Sequence, residues 1–303
     1  MNRRIFIKNL SAGAAGILTG AYTPEAFAGN TLKKITLLHT NDLHSQIEPF
    51  DAGNTAYAGR GGFARIAHYV KKCRKENPHL LLFDGGDSFQ GTPYFNFFGG
   101  EFIFKMMHEI GYDAGTLGNH EFDSGTQGLY DPVRMANFPI INSNYDLSDT
   151  ILSGMIPRYK IFKKNGIRIG VYGLGISLVG LVNEKNCQGV KYLDPVGVAQ
   201  EMESFLALEK KCDLVVCLSH IGLQYREDRI SDVTLAPETS YTDVIIGGHT
   251  HTYLEEPLQL TNKQGNAIIV NQAHWGGLVV GHLDFYFEKG KRQKHIATNI
   301  QTS

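Results

Sequence analysis

The 303-residue chain sets 29 Lys and Arg against 30 Asp and Glu, for a formal charge of −1, with 42% hydrophobic residues. With no basic block, long nucleic acid is excluded as an evident partner, and the apolar fraction suffices for one large core. The four cysteines, Cys73, Cys187, Cys212 and Cys217, fit no zinc spacing.

Residues 1–28 read as a removable export signal. Arg3 and Arg4 form a twin-arginine pair, residues 10–21 are a mild Gly/Ala-rich apolar run, and Ala26-Phe27-Ala28 resembles a cleavage site. The segment is too short and glycine-rich to span a membrane, and no later stretch reaches that length. Removing Arg3, Arg4, Lys8 and Glu25 takes away a net +2, so −1 becomes −3. Residues 29–303 are expected to form a single catalytic domain of an exported, periplasmic protein.

The remainder alternates strands and helices. A strand over 35–40 is followed by a helix over 62–75, where Phe63, Ile66, Ala67 and Val70 recur at helical spacing. A strand over 80–84, helices over 101–109 and 129–137, and strands over 139–142 and 167–172 come next. Asp194-Pro195 opens a helix over 196–211, and strands over 214–218 and 244–248 follow. The end is strand-rich, at 267–270 and 278–287. Cys212 and Cys217 fall at the start and inside one predicted strand, on opposite faces, so they should not pair. Export of the folded chain from a reducing cytosol would leave free buried thiols.

Five apolar strands deliver polar ligand types at their ends. Asp42 and His44 follow the first, and Asp84-Gly85-Gly86-Asp87 follows the second. Gly118-Asn119-His120-Glu121 leads to Asp123, His220 ends a later run, and His249-Thr250-His251 ends another. Open α/β sheets place their sites outside the carboxyl ends of the strands, so these loops should converge. A mixed nitrogen and oxygen donor set without cysteine suits Mn, Zn or Fe rather than a structural zinc. His120 can point at whatever a metal holds, and Asp123 can hydrogen-bond its imidazole and favour the charged form.

The ordered set D-x-H, G-G-D, G-N-H-E-x-D, an isolated H and G-H-x-H resembles the calcineurin-like dinuclear metallophosphoesterases. His39-Thr40-Asn41-Asp42-Leu43-His44, Gln90-Gly91-Thr92-Pro93 and Asp243 through His251 look like the catalytic domain of the 5′-nucleotidase branch. The resemblance runs from about residue 34 to about 287. It implies a four-layer α/β/β/α sandwich of two packed mixed sheets flanked by helices. It also implies two divalent ions, one held by Asp42, His44, Asp87 and His251, the other by Asp87, Asn119, His220 and His249. Two such ions, about 3.5–4 Å apart, clamp a phosphate and make hydroxide available near neutral pH. Asn119 and His120 would contact substrate. His120 would protonate the leaving oxygen, with Asp123 orienting it.

Other residues have plainer readings. Asp84 caps its loop, Glu121 supports the site from behind, His39 makes a strand-end hydrogen bond, and the sole tryptophan, Trp275, packs. His68, His79, His108, His282 and His295 match no motif. Ser45 stands where the family usually has glycine, and His251 where some members carry Gln. The chain stops at Ser303, where the family's C-terminal nucleotide-binding domain would begin, so that domain is expected from a separate chain or not at all.

The expected activity is hydrolysis of phosphate monoesters, 5′-nucleotidase-like, on a small phosphorylated substrate such as a nucleotide. The alternatives are a 2′,3′-cyclic nucleotide phosphodiesterase, a hydrolase of sulfur-linked, thiosulfate-type substrates, or a non-catalytic metal-binding subunit. The presence of both His120 and Asp123 argues against the last.

Overall fold

Alternation within single strands sets the layering. In the computed structural model, which describes residues 32–288 and 291–302, strand β1 (Lys33–Thr40) runs parallel to β2 (Leu80–Asp84). Ile35, Leu37, Leu81 and Phe83 point one way, and Leu38, Leu80 and Leu82 the other, as side chains on a pleated strand must. The second set packs on helices α1 (Phe63–Glu76) and α2 (Pro93–Ile110). β3 (Ala114–Gly115) completes this edge of the sheet and leads toward α3 (Gly125–Met135).

The short β4 (Tyr145–Asp146) precedes β5 (Tyr159–Lys164) and β6 (Ile167–Gly175), which pair antiparallel. β7 (Lys191–Tyr192) pairs with β4 as a separate ribbon. Helix α4 (Pro195–Ser204) begins at Asp194, whose side chain accepts from Gly197 N at 2.8 Å, with proline in the first turn. β8 (Leu214–His220), the short α5 (Asp232–Leu235), β9 (Val244–Ile246), β10 (Leu258–Thr261) and β11 (Ala267–Asn271) follow. β12 (Val279–Glu288) and β13 (Lys291–Gln301) close the chain as an antiparallel pair.

Two mixed sheets result, ordered β13-β12-β1-β2-β3 and β10-β11-β9-β8-β6-β5. Leu214, Val216 and Leu218 of β8 meet Ile35, Leu37 and Phe285 in the layer between them. Val215 and Cys217 face outward, onto Val198, Ala199 and Met202 of α4. This is the expected four-layer α/β/β/α sandwich. Strands β1, β2, β3, β8 and β9 run mutually parallel within their sheets, so their carboxyl ends share one rim. Among the described residues, no helix is long and apolar enough to cross a membrane. The expected export segment, residues 1–28, lies outside the described residues.

Several sequence expectations need correction. Residues 139–142 make only an isolated bridge, Ile140 to Gly115, because Asn142 Oδ1 turns the chain by accepting from Asn144 N and Tyr145 N. Helix α2 begins at Pro93, eight residues before the expected start, with a non-helical Gly99 (φ 67°) inside it. Helix α4 stops at Ser204, and a single π turn over Phe205–Glu209 carries the chain on. Cys212 precedes β8 rather than opening it, so Cys212 and Cys217 both pack toward the same outer layer. All four cysteines are free thiols.

Candidate metal centre

The rim is built by loops zipped to one another through their backbones. Asp42 N donates to Gly86 O at 2.8 Å and His44 N to Asp87 O at 3.0 Å, which ties the loop after β1 to the loop after β2. His120 N donates to Asp87 Oδ1 at 2.8 Å, which adds the loop after β3. His220 Nδ1 donates to Gly85 O at 2.7 Å, and His249 N reaches both oxygens of Asp42 at 3.0 Å, which brings in the second sheet.

This convergence places two groups of donors side by side. Asp42, His44 and His251 form one, and Asp87, His220 and His249 the other; within each triad the donor atoms lie within 4.8 Å of one another. His44 Nε2 and His251 Nε2 are 2.9 Å apart, and Asp42 Oδ1 is 3.3 Å from His251 Nε2. Asn119 Oδ1 lies 2.9 Å from His249 Nδ1, beside the second triad. All seven residues expected as ligands thus meet on one rim.

The donor chemistry fits cations. Carbonyl acceptors take the Nδ1 protons of His44 (Gln90 O, 2.7 Å) and His220 (Gly85 O), so each Nε2 is turned toward the shared space. Against the pull of burial, the Asp87 and Asp42 charges raise His220 to about 10, so that without a cation its ring is charged. Burial pushes His249 down to about 4, helped by the nearby His220, and burial also lowers His44, so both imidazoles are neutral. His220 Nε2 is fully buried, 2.9 Å from Asp87 Oδ2 without meeting hydrogen-bond geometry. Burial alone would raise the Asp87 carboxyl, but the His220 charge outweighs it and holds Asp87 well below the carboxylate range.

The backbone is bent to achieve this. Asp42, His44, Asp87, His249 and His251 all have φ between 48° and 74°, the left-handed region that L residues rarely occupy. Such strain concentrates at functional sites. Gly118 is required for another reason: a Cβ there would meet Asp87 Oδ1 and sit 2.6 Å from His220 Nε2.

Beside both triads stands His120, its ring centroid 5.2 Å from that of His44. Its Nδ1 is 2.6 Å from Asp123 Oδ2. That hydrogen bond, against some opposing desolvation, raises the imidazole to about 9, so it carries a proton at neutral pH.

A family model for calcineurin-like phosphoesterases matches residues 35–253. The chain belongs to this family. It is 32% identical to a snake venom 5′-nucleotidase of Gloydius brevicauda over 84% of this chain and 45% of that protein. It is also 32% identical to the 5′-nucleotidase of Bos taurus, over 85% of this chain and 47% of that one. Among solved structures, a 5′-nucleotidase precursor from Thermus thermophilus superposes with a TM-score of 0.81 at 33% identity, covering 89% of this chain and 55% of that one. The chain spans about half the length of the curated relatives it matches.

In this calcineurin-like phosphoesterase the supporting residues explain themselves. Asp84 accepts from Thr40 Oγ1, Ser88 Oγ and Gly86 N at 2.7–3.0 Å; it caps the loop and stays out of both triads. Glu121 accepts from four backbone N–H groups, those of Asp87, Ser88, Phe89 and Gly118, at 2.7–3.3 Å. Burial pushes its carboxyl up to about 7, yet four donors and no acceptor face it, so the carboxylate form is the one the loop binds. His39 lies buried beneath the rim, where Asn271 Nδ2 contacts its Nε2 at 2.8 Å. Ser45, at φ 49°, holds a conformation suited to glycine, and three hydrogen bonds with Thr92 offset the strain.

Asn41 went unremarked in the sequence. Its Nδ2 donates to Asp42 Oδ2 and to His274 O, both at 2.6 Å, and its Oδ1 accepts from Ala273 N, joining the first triad to the loop after β11. Only its place immediately before the first ligand could have hinted at that role.

Proposed function

We propose that this chain is an exported, metal-dependent phosphomonoesterase of the 5′-nucleotidase type, acting on nucleoside monophosphates. The observation that carries the reading is the pairing of two adjacent donor triads with a protonated His120 on the same rim. The relatives named as 5′-nucleotidases support the substrate class. Residues 1–28 would supply the export signal, with the periplasm as destination.

In this reading Asp42, His44, Asp87 and His251 would hold one divalent ion, and Asp87, Asn119, His220 and His249 the other. Mn, Zn and Fe all suit such a donor set. When bound, a pair of divalent ions polarises a phosphate ester and lowers the pKa of water. The protein's own part is positional. The fused loops fix the donors, and Asn119 and His120 face the ester. His120 gives its Nε2 proton to the departing alcohol oxygen while Asp123 keeps Nδ1 engaged and the ring oriented.

The test is a substrate panel with the purified chain, stripped of metal and resupplied with Mn, Zn, Fe or Co. Nucleoside monophosphates, an aryl phosphate, 2′,3′-cyclic nucleotides and a bis-ester would be compared. The expected outcome is metal-restored turnover with nucleoside monophosphates leading. Turnover of only cyclic nucleotides or bis-esters would replace this reading with a phosphodiesterase.

A further inference from the structure

His251 is the weak point of the donor set. Its side chain is 39% exposed, against 0% for Asp42, 8% for His44 and 0% for His220. Its backbone is strained at φ 51°, and it lies in the loop five residues beyond the end of β9. An imidazole so exposed has fewer contacts to select its rotamer than the buried donors have, so a neighbour outside the rim can decide its orientation.

The loop after β11 supplies that hold. Trp275 stacks parallel to the His251 ring but offset from it, with centroids 5.6 Å apart and planes 8° from parallel. Its edges are fixed in turn by Phe50 at 4.9 Å and Tyr57 at 6.4 Å, both T-shaped. The neighbouring His274 Nδ1 donates to His251 O at 2.9 Å, so one loop grips both the ring and the backbone of the same residue. In offset parallel contact with His251 and edge-on to Phe50, Trp275 is placed to orient that imidazole.

We propose that Trp275 is a positioning residue that sets the His251 ring for the ion held by Asp42, His44 and His251, and so selectively tightens that one of the two ion sites. This rests on the two-ion reading above. Partners that orient a ligating imidazole typically contribute about 10–100-fold in metal affinity. Because Trp275 is the only tryptophan in the sequence, its emission should also report filling of the adjoining metal centre.

The test is titration of the metal-free wild-type chain with Co(II), followed by calorimetry and tryptophan fluorescence, together with Trp275→Phe and Trp275→Leu. The expected result is two bound ions, with the emission quenched as they bind. Trp275→Leu should lose about 10–100-fold in one affinity and keep the other, while Trp275→Phe stays near wild type. The retained affinity certifies that the leucine variant is folded. Two ions bound without any change in emission, equal tightness in Trp275→Leu, or equal loss at both sites would overturn the proposal and leave the two-ion reading standing. No binding of Co(II) by the wild type would remove both.

Discussion

His120 Nδ1 sits 2.6 Å from Asp123 Oδ2, across the three-residue spacing of a single 3-10 turn. In that helix, side chains at i and i+3 eclipse, so the sequence spacing itself delivers the contact. The consequence is an imidazolium on the rim of a metal-binding site.

A pH profile reads this directly. His120 titrates at about 9, above the ordinary 6.5, so a role as proton donor persists through neutral pH and is lost as pH rises through about 9. Its contribution to stability has the same sign, complete below about 6.5 and fading as pH climbs to about 9. Asp123→Asn should move the basic limb of the kcat profile downward, toward the ordinary imidazole value. An unmoved limb would remove His120 as the group responsible.

Replacing His120 by Ala should lower kcat by about 10²–10⁴-fold while both ions remain bound, since His120 belongs to neither triad. Metal content and turnover measured on the same preparation separate this from loss of the centre. Unchanged turnover would return the residue to a structural role.

Glu121 carries a prediction about stability. Its two oxygens satisfy four N–H groups of the Asp87 and Gly118 loops. Glu121→Gln keeps the shape but turns one acceptor into a donor facing donors. The expected cost is about 1–3 kcal/mol in denaturant unfolding, with weakened metal binding. A variant as stable as wild type would show that the loops hold themselves.

Gly118→Ala is the smallest change expected to disable the second triad. Its new Cβ would press on Asp87 Oδ1 and stand 2.6 Å from His220 Nε2. Calorimetry should show one ion lost or greatly weakened, with circular dichroism unchanged. Two ions bound as tightly as in wild type would contradict the close approach seen here.

What the sequence made legible was chemistry at strand ends. A run such as residues 80–83 followed by Asp84-Gly85-Gly86-Asp87 can be read because polarity changes abruptly where an apolar strand stops. The meeting of the triads followed from parallel strands sharing a rim. The left-handed backbones of Asp42, His44, Asp87, His249 and His251 were illegible, because Asp and His tolerate φ above zero better than most residues but far more often adopt ordinary conformations. Trp275 was read as packing, and it does pack, but which ring it covers depends on a loop contact across the fold. Edge strands such as β5, β10 and β13 were missed because polar residues interrupt their short apolar runs, Lys160, Lys163 and Lys164 in β5 and Gln259 and Thr261 in β10 among them.

In the proposed mechanism two ions, one per triad, act together. It is tested by titrating metal-free chain with Mn(II) while recording bound ion and nucleoside monophosphate hydrolysis in the same samples. Two equivalents should bind, and turnover should rise only as the second equivalent fills. Full turnover at one equivalent, or turnover indifferent to metal, would contradict it.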